Sequence, residues 1–366
     1  MGDSRKPAVE VTDLRKSYGE VTALKGVSLT IEGGEYFVLL GPSGGGKTTL
    51  LRLLGGFIKP TKGRILLHGQ DVSNLPPNRR GTSMVFQSYA LFPHMTVARN
   101  VGYGLRLRKL RQKDIDERVE SMLNMVGLRD YGTRMPYELS GGQQQRVQLA
   151  RALVLESDIL LLDEPLAALD AKLRKDMCFE LKHLQEKVGI TFVHVTHNQD
   201  EAMAVADRIA IIADGELIEA GSAREIYEDP VRRFTAGFIG ENNILEGTIA
   251  EKDGGTVVVD VGFGKVSVKE RSQSAKVGMA ASFSVRSERM RLLDKSERRN
   301  GRYQALPAKY REEIYLGLVT RHLVALPDGR ELSVRAVSDI DEAVRFELGE
   351  EVLVGWRTED GKLHLS

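Results

Sequence analysis

The stretch GPSGGGKTTLLRLLGG, residues 41–56, joins two segments of different character. The segment before it, YFVLL at 36–40, is short, apolar and rich in β-formers, which predicts a buried strand. The segment after the glycines, Lys47 to Leu54, is rich in Leu and free of helix breakers, which predicts a helix. The junction fits the pattern G-x-x-x-x-G-K-S/T, in which consecutive N–H groups and a helix N-terminus hold phosphate. A nucleotide-binding loop is therefore predicted, against the alternative of a Gly-rich turn that matches by chance.

The residues of this loop have different predicted roles. Lys47 is expected to reach the β- and γ-phosphates of ATP, and the hydroxyl of Thr48 is expected to bind Mg²⁺. The other residues expected to contact the nucleotide are Gly41, Pro42, Ser43, Gly44, Gly45, Gly46 and Thr49.

A second segment, ILLLDEP at 159–165, reads as an apolar strand that ends in two carboxylates. In a parallel α/β sheet, a carboxylate at the carboxyl end of a strand lies beside the phosphate-binding loop. Asp163 is expected to hold Mg²⁺ through water, and Glu164 is expected to polarise the attacking water as general base. The alternative is that both acids only cap the next helix, which the nucleotide loop makes less favoured.

The segment YELSGGQQQRVQLARAL, residues 137–153, predicts a helix that opens on Ser140, Gly141 and Gly142. A serine N-cap followed by two glycines forms a second anion-binding helix N-terminus. One triphosphate does not need two such sites in one chain. A dimer does need them if each ATP lies between the loop of one copy and this segment of the other. The alternative is a capped helix with a flexible start.

Length and composition set limits on the class of protein. The chain has 366 residues, and 52 Lys plus Arg balance 51 Asp plus Glu, so two or three domains and no nucleic-acid partner are expected. Cys178 is the single cysteine, which excludes an internal disulfide and suits a reducing compartment. No apolar run approaches the roughly 18 residues of a membrane span. The N-terminus lacks the apolar core of a signal peptide.

The character of the sequence changes along the chain. Residues 1–240 alternate strand-like and helix-like segments, which predicts an α/β domain with a helical subdomain at about 88–157. Its predicted strands are the apolar β-rich runs at 36–40, 83–87, 159–163, 191–196 and 208–213. Residues 241–366 carry short β-rich runs between turn signals, which predicts a small all-β domain. Within it, VGMAASFSVRSERMRLL (277–293) aligns with LGEEVLVGWRTEDGKLHL (348–365). Two copies of one barrel-like unit are predicted, against a chance similarity of two hairpins.

The segment LSGGQ at 139–143 resembles the signature motif of ABC transporter ATPase subunits. As in that family, it lies between the nucleotide loop and the Asp-Glu strand, and the resemblance covers the whole chain. It implies an α/β P-loop ATPase domain with a helical subdomain, followed by a small all-β OB-like barrel domain, and hydrolysis of ATP with Mg²⁺. It also adds Gln143 to the nucleotide-binding residues, beside Ser140, Gly141 and Gly142.

Four more positions match family motifs. Tyr18 in KSYG resembles the aromatic residue that stacks on adenine, and Gln87 in MVFQ resembles the glutamine that contacts Mg²⁺ and the attacking water. Asp170 in ALD resembles the aspartate of the D-loop, and His197 in VTHN resembles the histidine that contacts the γ-phosphate. On chemistry alone, Tyr18 could be a half-buried strand residue and Asp170 a helix cap. His194 points to the other register of its strand and is expected in the core or at the surface.

The second domain resembles the tandem OB-like regulatory domain of ABC importers for sugars, polyamines, iron and phosphonates. Segments 225–247 and 313–329 are most similar to the polyamine and opine group. The resemblance implies a homodimer, peripheral at the cytoplasmic face of the bacterial inner membrane. It further implies two transmembrane permease subunits as partners and, indirectly, a substrate-binding protein, with import of a small solute for which a polyamine or related polar compound is the favoured choice.

Two other functions are weighed against an importer ATPase. A soluble ABC-type ATPase acting on nucleic acid or ribosomes usually carries two cassettes or a long coiled coil, and this chain has one cassette and no heptad run. A β domain that binds oligonucleotides by itself is disfavoured, because its aromatic residues are sparse and not interleaved with a basic face.

Overall fold

The chain forms two compact units, divided between Arg224 and Glu225. Each unit has its own apolar core. The computed structural model describes residues 7–87, 90–270, 274–293, 303–338 and 346–365.

The first unit combines two sheets with helices. Its strands are β1 (Pro7–Tyr18), β2 (Val21–Glu32), β3 (Tyr36–Leu40), β4 (Lys62–Leu67), β5 (Gln70–Asp71), β6 (Thr82–Val85), β7 (Ile159–Asp163), β8 (Thr191–Thr196), β9 (Arg208–Ala213) and β10 (Glu216–Ser222). Its helices are α1 (Lys47–Leu54), α2 (Val97–Val101), α3 (Tyr103–Leu107), α4 (Gln112–Met125), α5 (Gly141–Leu153), α6 (Ala171–Val188) and α7 (Gln199–Val205).

A six-stranded sheet in the order β10-β9-β3-β8-β7-β6 carries the predicted site. β3 pairs in parallel with β8 and β9, and β7 pairs in parallel with β6 and β8. Every residue of β3, β7 and β8 is buried, as expected for parallel strands covered on both faces. The carboxyl ends of β3, β8, β7 and β6 are therefore neighbours along one edge of the sheet.

A four-stranded antiparallel sheet, in the order β2-β1-β4-β5, has no counterpart among the strands predicted from sequence. Its two long strands pair through several register shifts, and Asp13 within β1 has a positive φ of 43°. Such bulges break the period-2 alternation of apolar and polar residues, which explains why the two long strands were not predicted.

The same two strands pack against the first helix. The inward-facing residues of β1 and β2 join the same apolar core as Leu50 and Leu53 of α1.

The helices α2, α4 and α5 form an apolar cluster of their own, built from residues between Val97 and Val154. Ile115, Val119 and Leu123 supply the α4 contribution, and their spacing of four residues places them on one helix face. This cluster lies inside the segment for which a helical subdomain at about 88–157 is predicted. Ser88 and Tyr89, the first residues of that prediction, lie outside the described residues.

The second unit is β-rich. Its strands are β11 (Asn242–Asp253), β12 (Thr256–Asp260), β13 (Lys265–Lys269), β14 (Ala280–Arg286), β15 (Arg291–Leu293), β16 (Gln304–Tyr315), β17 (Val319–Ala325), β18 (Glu331–Val337), β19 (Glu351–Trp356) and β20 (Lys362–His364). β11, β12, β13, β20 and β14 close a barrel, and the five-stranded sheet has the order β15-β19-β16-β17-β18. One core unites both, with Phe283 and Trp356 rings 5.9 Å apart.

The two aligned sequence segments both connect the barrel with the five-stranded sheet, in opposite directions. In the first, β14 lies in the barrel, a 3₁₀ turn follows at Ser287–Arg289, and β15 joins the five-stranded sheet. In the second, β19 lies in the five-stranded sheet, a 3₁₀ turn follows at Thr358–Asp360, and β20 returns to the barrel. Each Arg-Ser/Thr-Glu turn therefore passes the chain from one sheet to the other.

The boundary between the units lies before the predicted position at 240–241. The helices α8 (Ala223–Glu228) and α9 (Arg233–Phe238) precede β11, and nearly all of both falls in the second unit. The reason is visible in Arg286 at the end of β14, whose guanidinium donates to the backbone oxygens of Tyr227 and Ile239. Helical residues are thus fixed to the barrel, although the β-rich sequence begins only after them.

Candidate nucleotide site

The phosphate-binding loop connects β3 to α1 in a form that only glycine permits at two positions. A Cβ atom on Gly41 would lie 2.0 Å from the carbonyl oxygen of Ile212, and one on Gly46 would lie 2.7 Å from that of Ala23. Gly46 also has φ of 106° and is the N-cap of α1. Bare backbone here lets the loop sit close against neighbouring strands.

Lys47 folds back over its own loop. Its Nζ donates to the carbonyl oxygens of Gly41 at 2.8 Å and Pro42 at 2.7 Å, and the side chain is buried. Burial lowers the pKa of Lys47, while the charges of Glu164 and Asp163 raise it. The ammonium is therefore held in the loop by oxygen acceptors that a phosphate group could replace.

Thr48 and Asp163 form a pair of oxygen donors between the loop and β7. The Thr48 hydroxyl donates to Asp163 Oδ1 at 3.2 Å, and Arg52 Nη2 lies 3.9 Å from Oδ2. Burial raises the pKa of Asp163, and the Thr48 hydrogen bond and the Arg52 charge oppose that shift. Hydroxyl and carboxylate oxygens suit Mg²⁺, which usually keeps waters and substrate phosphates as its other ligands. Accordingly, the described residues contain no larger cluster of His, Cys, Asp and Glu that could enclose a metal.

Glu164 contacts the other two predicted catalytic side chains, Gln87 and His197. Its Oε2 accepts from the Gln87 amide at 3.0 Å, and its Oε1 lies 3.2 Å from Nδ1 of His197. These residues follow β7, β6 and β8, which are adjacent in the sheet. Glu164 also has a φ of 46°, a strained conformation for a residue with a side chain. The carboxylate is thus held at the edge of the sheet, partly open to water, between an amide and an imidazole.

Behind His197 lies a buried polar cluster that was not predicted from the sequence. Thr196, the last residue of β8, donates through its hydroxyl to Glu201 Oε2 at 2.7 Å. Glu201 Oε1 lies 3.5 Å from Arg174 Nε. Burial is the main cause that raises the pKa of Glu201. The sequence carried one signal for Glu201, since Asn198 and Glu201 have the spacing of a helix N-cap and its third residue.

His194 lies in the core, one of the two places expected for it. Its side chain is fully buried, Nδ1 is 3.0 Å from the Tyr36 hydroxyl, and Nε2 is 3.9 Å from Glu201 Oε2 with no hydrogen-bond partner. Burial lowers the pKa of His194 to about 3, so the ring is neutral. His194 is therefore a packed residue of the strand, while His197 is the histidine exposed at the site.

The remaining predicted nucleotide contacts lie apart from this cluster. Among the described residues, no hydrogen bond or ion pair joins Tyr18, the Ser140–Gln143 segment or Asp170 to Lys47, Asp163 or Glu164. Ser140 caps α5: its hydroxyl accepts from the Gln143 N–H at 3.4 Å, and the Gln143 side chain accepts from the Ser140 N–H at 2.9 Å. Asp170 caps α6 by accepting from the N–H groups of Lys172 and Leu173.

Tyr18 ends β1 with about half of its surface exposed, 50 %, and the Lys16 ammonium lies 4.8 Å from the ring centroid. Such an exposed ring offers a flat face to a planar ligand. Ser140 is also exposed at the start of its helix. The structure thus has two separate glycine-lined helix N-termini in one unit, one at the phosphate loop and one at α5.

Comparison with known proteins places these features in a family. The family model described as "ABC transporter" matches residues 24–167, and the model described as "TOBE domain" matches residues 283–363. The spermidine/putrescine import ATP-binding protein PotA of Roseobacter denitrificans is 48 % identical over 349 residues, covering 95 % of both chains. The chain belongs to the ABC transporter ATP-binding proteins. The PotA protein of Thermotoga maritima is 42 % identical over 96 % of this ABC ATPase and 96 % of its own length.

Solved structures agree with this family. The ABC ATPase is similar to cbiO1 of Clostridium perfringens, part of the cbiONQ ABC transporter complex, with TM-score 0.57, 31 % identity, and coverage of 61 % of this chain and 91 % of that one. It is also similar to a dimeric ATP-binding cassette bound to ADP and Pi in a post-hydrolysis state. That match has TM-score 0.53, 35 % identity, and coverage of 59 % and 99 %.

The family resemblance and the fold class expected from the sequence are therefore confirmed. The chain is an ABC-type ATPase that binds ATP and couples its hydrolysis to transport. It consists of a P-loop α/β domain followed by an OB-like β domain. The similar full-length proteins are named as import proteins, and the alternative of a nucleic-acid or ribosome ATPase is not favoured. Among the residues the structure describes, none of the helices combines the length and apolar character that a bilayer crossing requires.

Besides Glu201, three polar residues near the ABC ATPase site were not predicted. Arg52 lies on α1 one helical turn after Thr48, a spacing that puts both on one face and was a usable signal. Arg174 and Thr196 carried none, because their relation to the site depends on how α6 and α7 pack against β8.

Proposed function

We propose that this ABC ATPase powers the import of polyamines such as spermidine and putrescine. The support for the cargo is similarity to proteins named for that import, at 48 % and 42 % identity over nearly the whole chain. The further resemblance of the β-rich tail to the polyamine and opine group agrees with it. The transported solute would be selected by the membrane and substrate-binding subunits. The ATPase would supply the free energy of ATP hydrolysis and would not itself recognise the solute.

We propose specific roles at the site, carried by the contact of Glu164 with both Gln87 and His197. Glu164 takes a proton from the attacking water, Gln87 orients that water, and His197 donates to the γ-phosphate. Lys47 and the N–H groups of residues 41–49 hold the β- and γ-phosphates. Thr48 and Asp163, with Gln87 nearby, would hold Mg²⁺, which when bound neutralises phosphate charge.

We propose that two copies of the chain act together. Tyr18, Lys47 and the phosphate loop of one copy would bind an ATP that Ser140, Gly141, Gly142 and Gln143 of the other copy close over, with Asp170 at the junction. The support is the presence of two separate anion-binding helix N-termini in one unit. The dimer would sit at the cytoplasmic face of the inner membrane against two permease subunits, which receive polyamine from a substrate-binding protein.

Replacement of the proposed base separates binding from hydrolysis. Glu164→Gln should lower ATP turnover by about a hundredfold or more, because an amide cannot accept the proton of water. ATP affinity, measured by calorimetry, should stay near that of the parent. Glu117→Gln on α4, which removes an exposed carboxylate paired with Lys113, is the matched control and should keep parental turnover. Turnover of Glu164→Gln within a few-fold of the parent would exclude Glu164 as the base.

The same variant tests the cargo in cells. A chromosomal Glu164→Gln copy should abolish uptake of radiolabelled spermidine and putrescine, while the Glu117→Gln copy should leave it intact. Retained polyamine uptake together with lost ATPase activity would overturn the cargo and leave the enzymatic assignment standing. Uptake of labelled sugar, iron and phosphonate in the same cells would then identify the solute.

A further inference from the structure

The residue before the exposed His197 ties the loop that carries this histidine to the start of α7. The Thr196 hydroxyl donates to Glu201 Oε2 at 2.7 Å and accepts from the Asn198 N–H at 3.0 Å. The Asn198 side chain in turn accepts from the Glu201 N–H at 3.1 Å. The two chain neighbours of His197, Thr196 and Asn198, are therefore both fixed by hydrogen bonds to Glu201 in the first turn of α7.

The same carboxylate reaches the loop that follows Glu164. Arg174 on α6 lies with Nε 3.5 Å from Glu201 Oε1, and its Nη2 donates to the Leu169 carbonyl at 2.8 Å. Leu169 belongs to a run of tight turns that begins at Glu164, since the Glu164 carbonyl accepts from the Ala167 N–H. Glu201 is therefore linked to both loops that carry the residues in contact at the site.

These contacts close a ring. From Glu164 it passes through His197 to Thr196, through Glu201 and Arg174 to Leu169, and along the chain back to Glu164. Thr196 is 2 % and Glu201 5 % exposed, so water cannot substitute for the partners of either group. Two loops held by the Thr196–Glu201 and Arg174–Leu169 hydrogen bonds, with the Arg174–Glu201 ion pair between them, keep their side chains within the narrow geometry that proton transfer needs.

We propose that Thr196, Glu201 and Arg174 are positioning residues for hydrolysis, holding His197 and Glu164 against each other. None of the three reaches the reacting atoms. The proposal rests on the roles given above to His197 and Glu164. It predicts that loss of a ring contact lowers the rate of hydrolysis while ATP binding, which depends on the phosphate loop, stays intact.

The first test removes one hydroxyl. Thr196→Val keeps the shape of the side chain and should lower kcat about tenfold or more, with KM for ATP within about threefold of the parent. Thr196→Ser restores the hydroxyl and should recover most of kcat. Thr191→Val is the matched control: Thr191 lies at the other end of β8, is equally buried, and accepts from the Gly34 N–H at 2.9 Å. It should lose stability in thermal unfolding without the loss of kcat.

The second test asks whether Thr196 acts through His197. In a His197→Ala background, adding Thr196→Val should lower kcat by less than about threefold further, because the group being positioned is already gone. Full additivity would overturn the positioning role. If His197→Ala itself keeps parental kcat, the proposed role of His197 fails. If His197→Ala loses kcat while Thr196→Val keeps it, only the ring proposal fails.

The third test addresses the other half of the ring. Arg174→Met keeps a long side chain but removes the ion pair with Glu201 and the hydrogen bond to Leu169. It should lower kcat about tenfold with ATP affinity near parental, and Arg174→Lys should recover part of the loss. Parental kcat in Arg174→Met would show that the contact of Arg174 with the loop after Glu164 does not position the site.

Discussion

At the scale of single residues, His194 shows how burial fixes a charge state. The ring has no contact with water, and its pKa is lowered to about 3 because the protonated form would lose hydration. Tyr36 supplies the hydrogen bond to Nδ1. In the unfolded chain a histidine titrates near a pKa of about 6.5. Between these two values the unfolded state binds a proton that the folded state does not.

Stability of the first unit should therefore fall as the pH drops from about 6.5 toward 3, by up to about 1.4 kcal/mol per pH unit from His194 alone. His194→Gln removes this titration, so the variant should lose less stability on acidification than the parent. Urea unfolding by circular dichroism, at pH values between about 7.5 and 5, measures the difference. Asp163, whose pKa is raised, acts in the opposite direction in both proteins and cancels in the comparison.

The matched control for this prediction is His183→Gln. His183 is exposed on α6, so its replacement should leave the pH dependence of the parent unchanged. An identical slope for the parent and His194→Gln would contradict a neutral, buried His194.

The contact of the three side chains that we propose to be catalytic could be predicted for a simple geometric reason. Gln87, Glu164 and His197 each follow a short apolar strand, and adjacent parallel strands bring their carboxyl ends to one edge. Thr196 carried no sequence signal and Glu201 only its N-cap spacing from Asn198, because a buried threonine at a strand end and an acid in a helix turn occur for many reasons. Their roles emerge only when α6 and α7 are seen to pack beside β8.

At the scale of elements, the strands best predicted are those buried on both faces. β3, β7, β8 and β9 carry continuous apolar runs that leave little choice of structure. The long strands β1 and β2 escaped prediction because their bulges shift the register several times and interrupt the alternation. Periodicity therefore identifies the site-bearing sheet and misses the sheet beside it.

The turn after β14 gives a prediction on the second unit. Arg286 is 7 % exposed, donates to the Tyr227 and Ile239 carbonyls, and stacks 4.0 Å from the centroid of the Tyr227 ring. Arg286→Met leaves those carbonyls without donors and should destabilise the second unit by about 3 kcal/mol. Fluorescence of Trp356, the single tryptophan and a buried residue of that unit, reports the transition directly.

The internal repeat supplies the control. Arg357 occupies the same place in the second Arg-Ser/Thr-Glu segment, yet it is only half-buried. In the part of the chain that the structure describes, its side chain makes no hydrogen bond or ion pair. Arg357→Met should therefore change stability by less than about 0.5 kcal/mol. Equal destabilisation by both variants would mean that the repeat position, rather than the contacts of Arg286, determines the effect.

At the scale of the whole molecule, two glycine-lined helix N-termini in one unit raise the question of what the second one binds. Ser140→Arg tests the proposal that it closes over the ATP of another copy. The variant fills that terminus with a bulky cation and leaves the phosphate loop intact, so it should bind ATP as a monomer and fail to dimerise or hydrolyse. Because Ser140 also caps α5, Ser140→Ala is the control: it should cost about 1 kcal/mol of stability and still dimerise.

A mixture of two defective chains provides the decisive arrangement. Lys47→Ala removes the charge from the phosphate loop, and Ser140→Arg blocks the other terminus. In a mixed dimer, one composite site then carries both changes and the other carries neither. The intact site should occlude ATP although neither variant does so alone, and filter-bound nucleotide should approach one ATP per mixed dimer. The occluded amount is a better readout than the rate, because turnover also depends on coupling between the sites. Parental hydrolysis by Ser140→Arg alone would show that the α5 terminus belongs to no catalytic site, and the absence of occlusion in the mixture would contradict a site shared between copies.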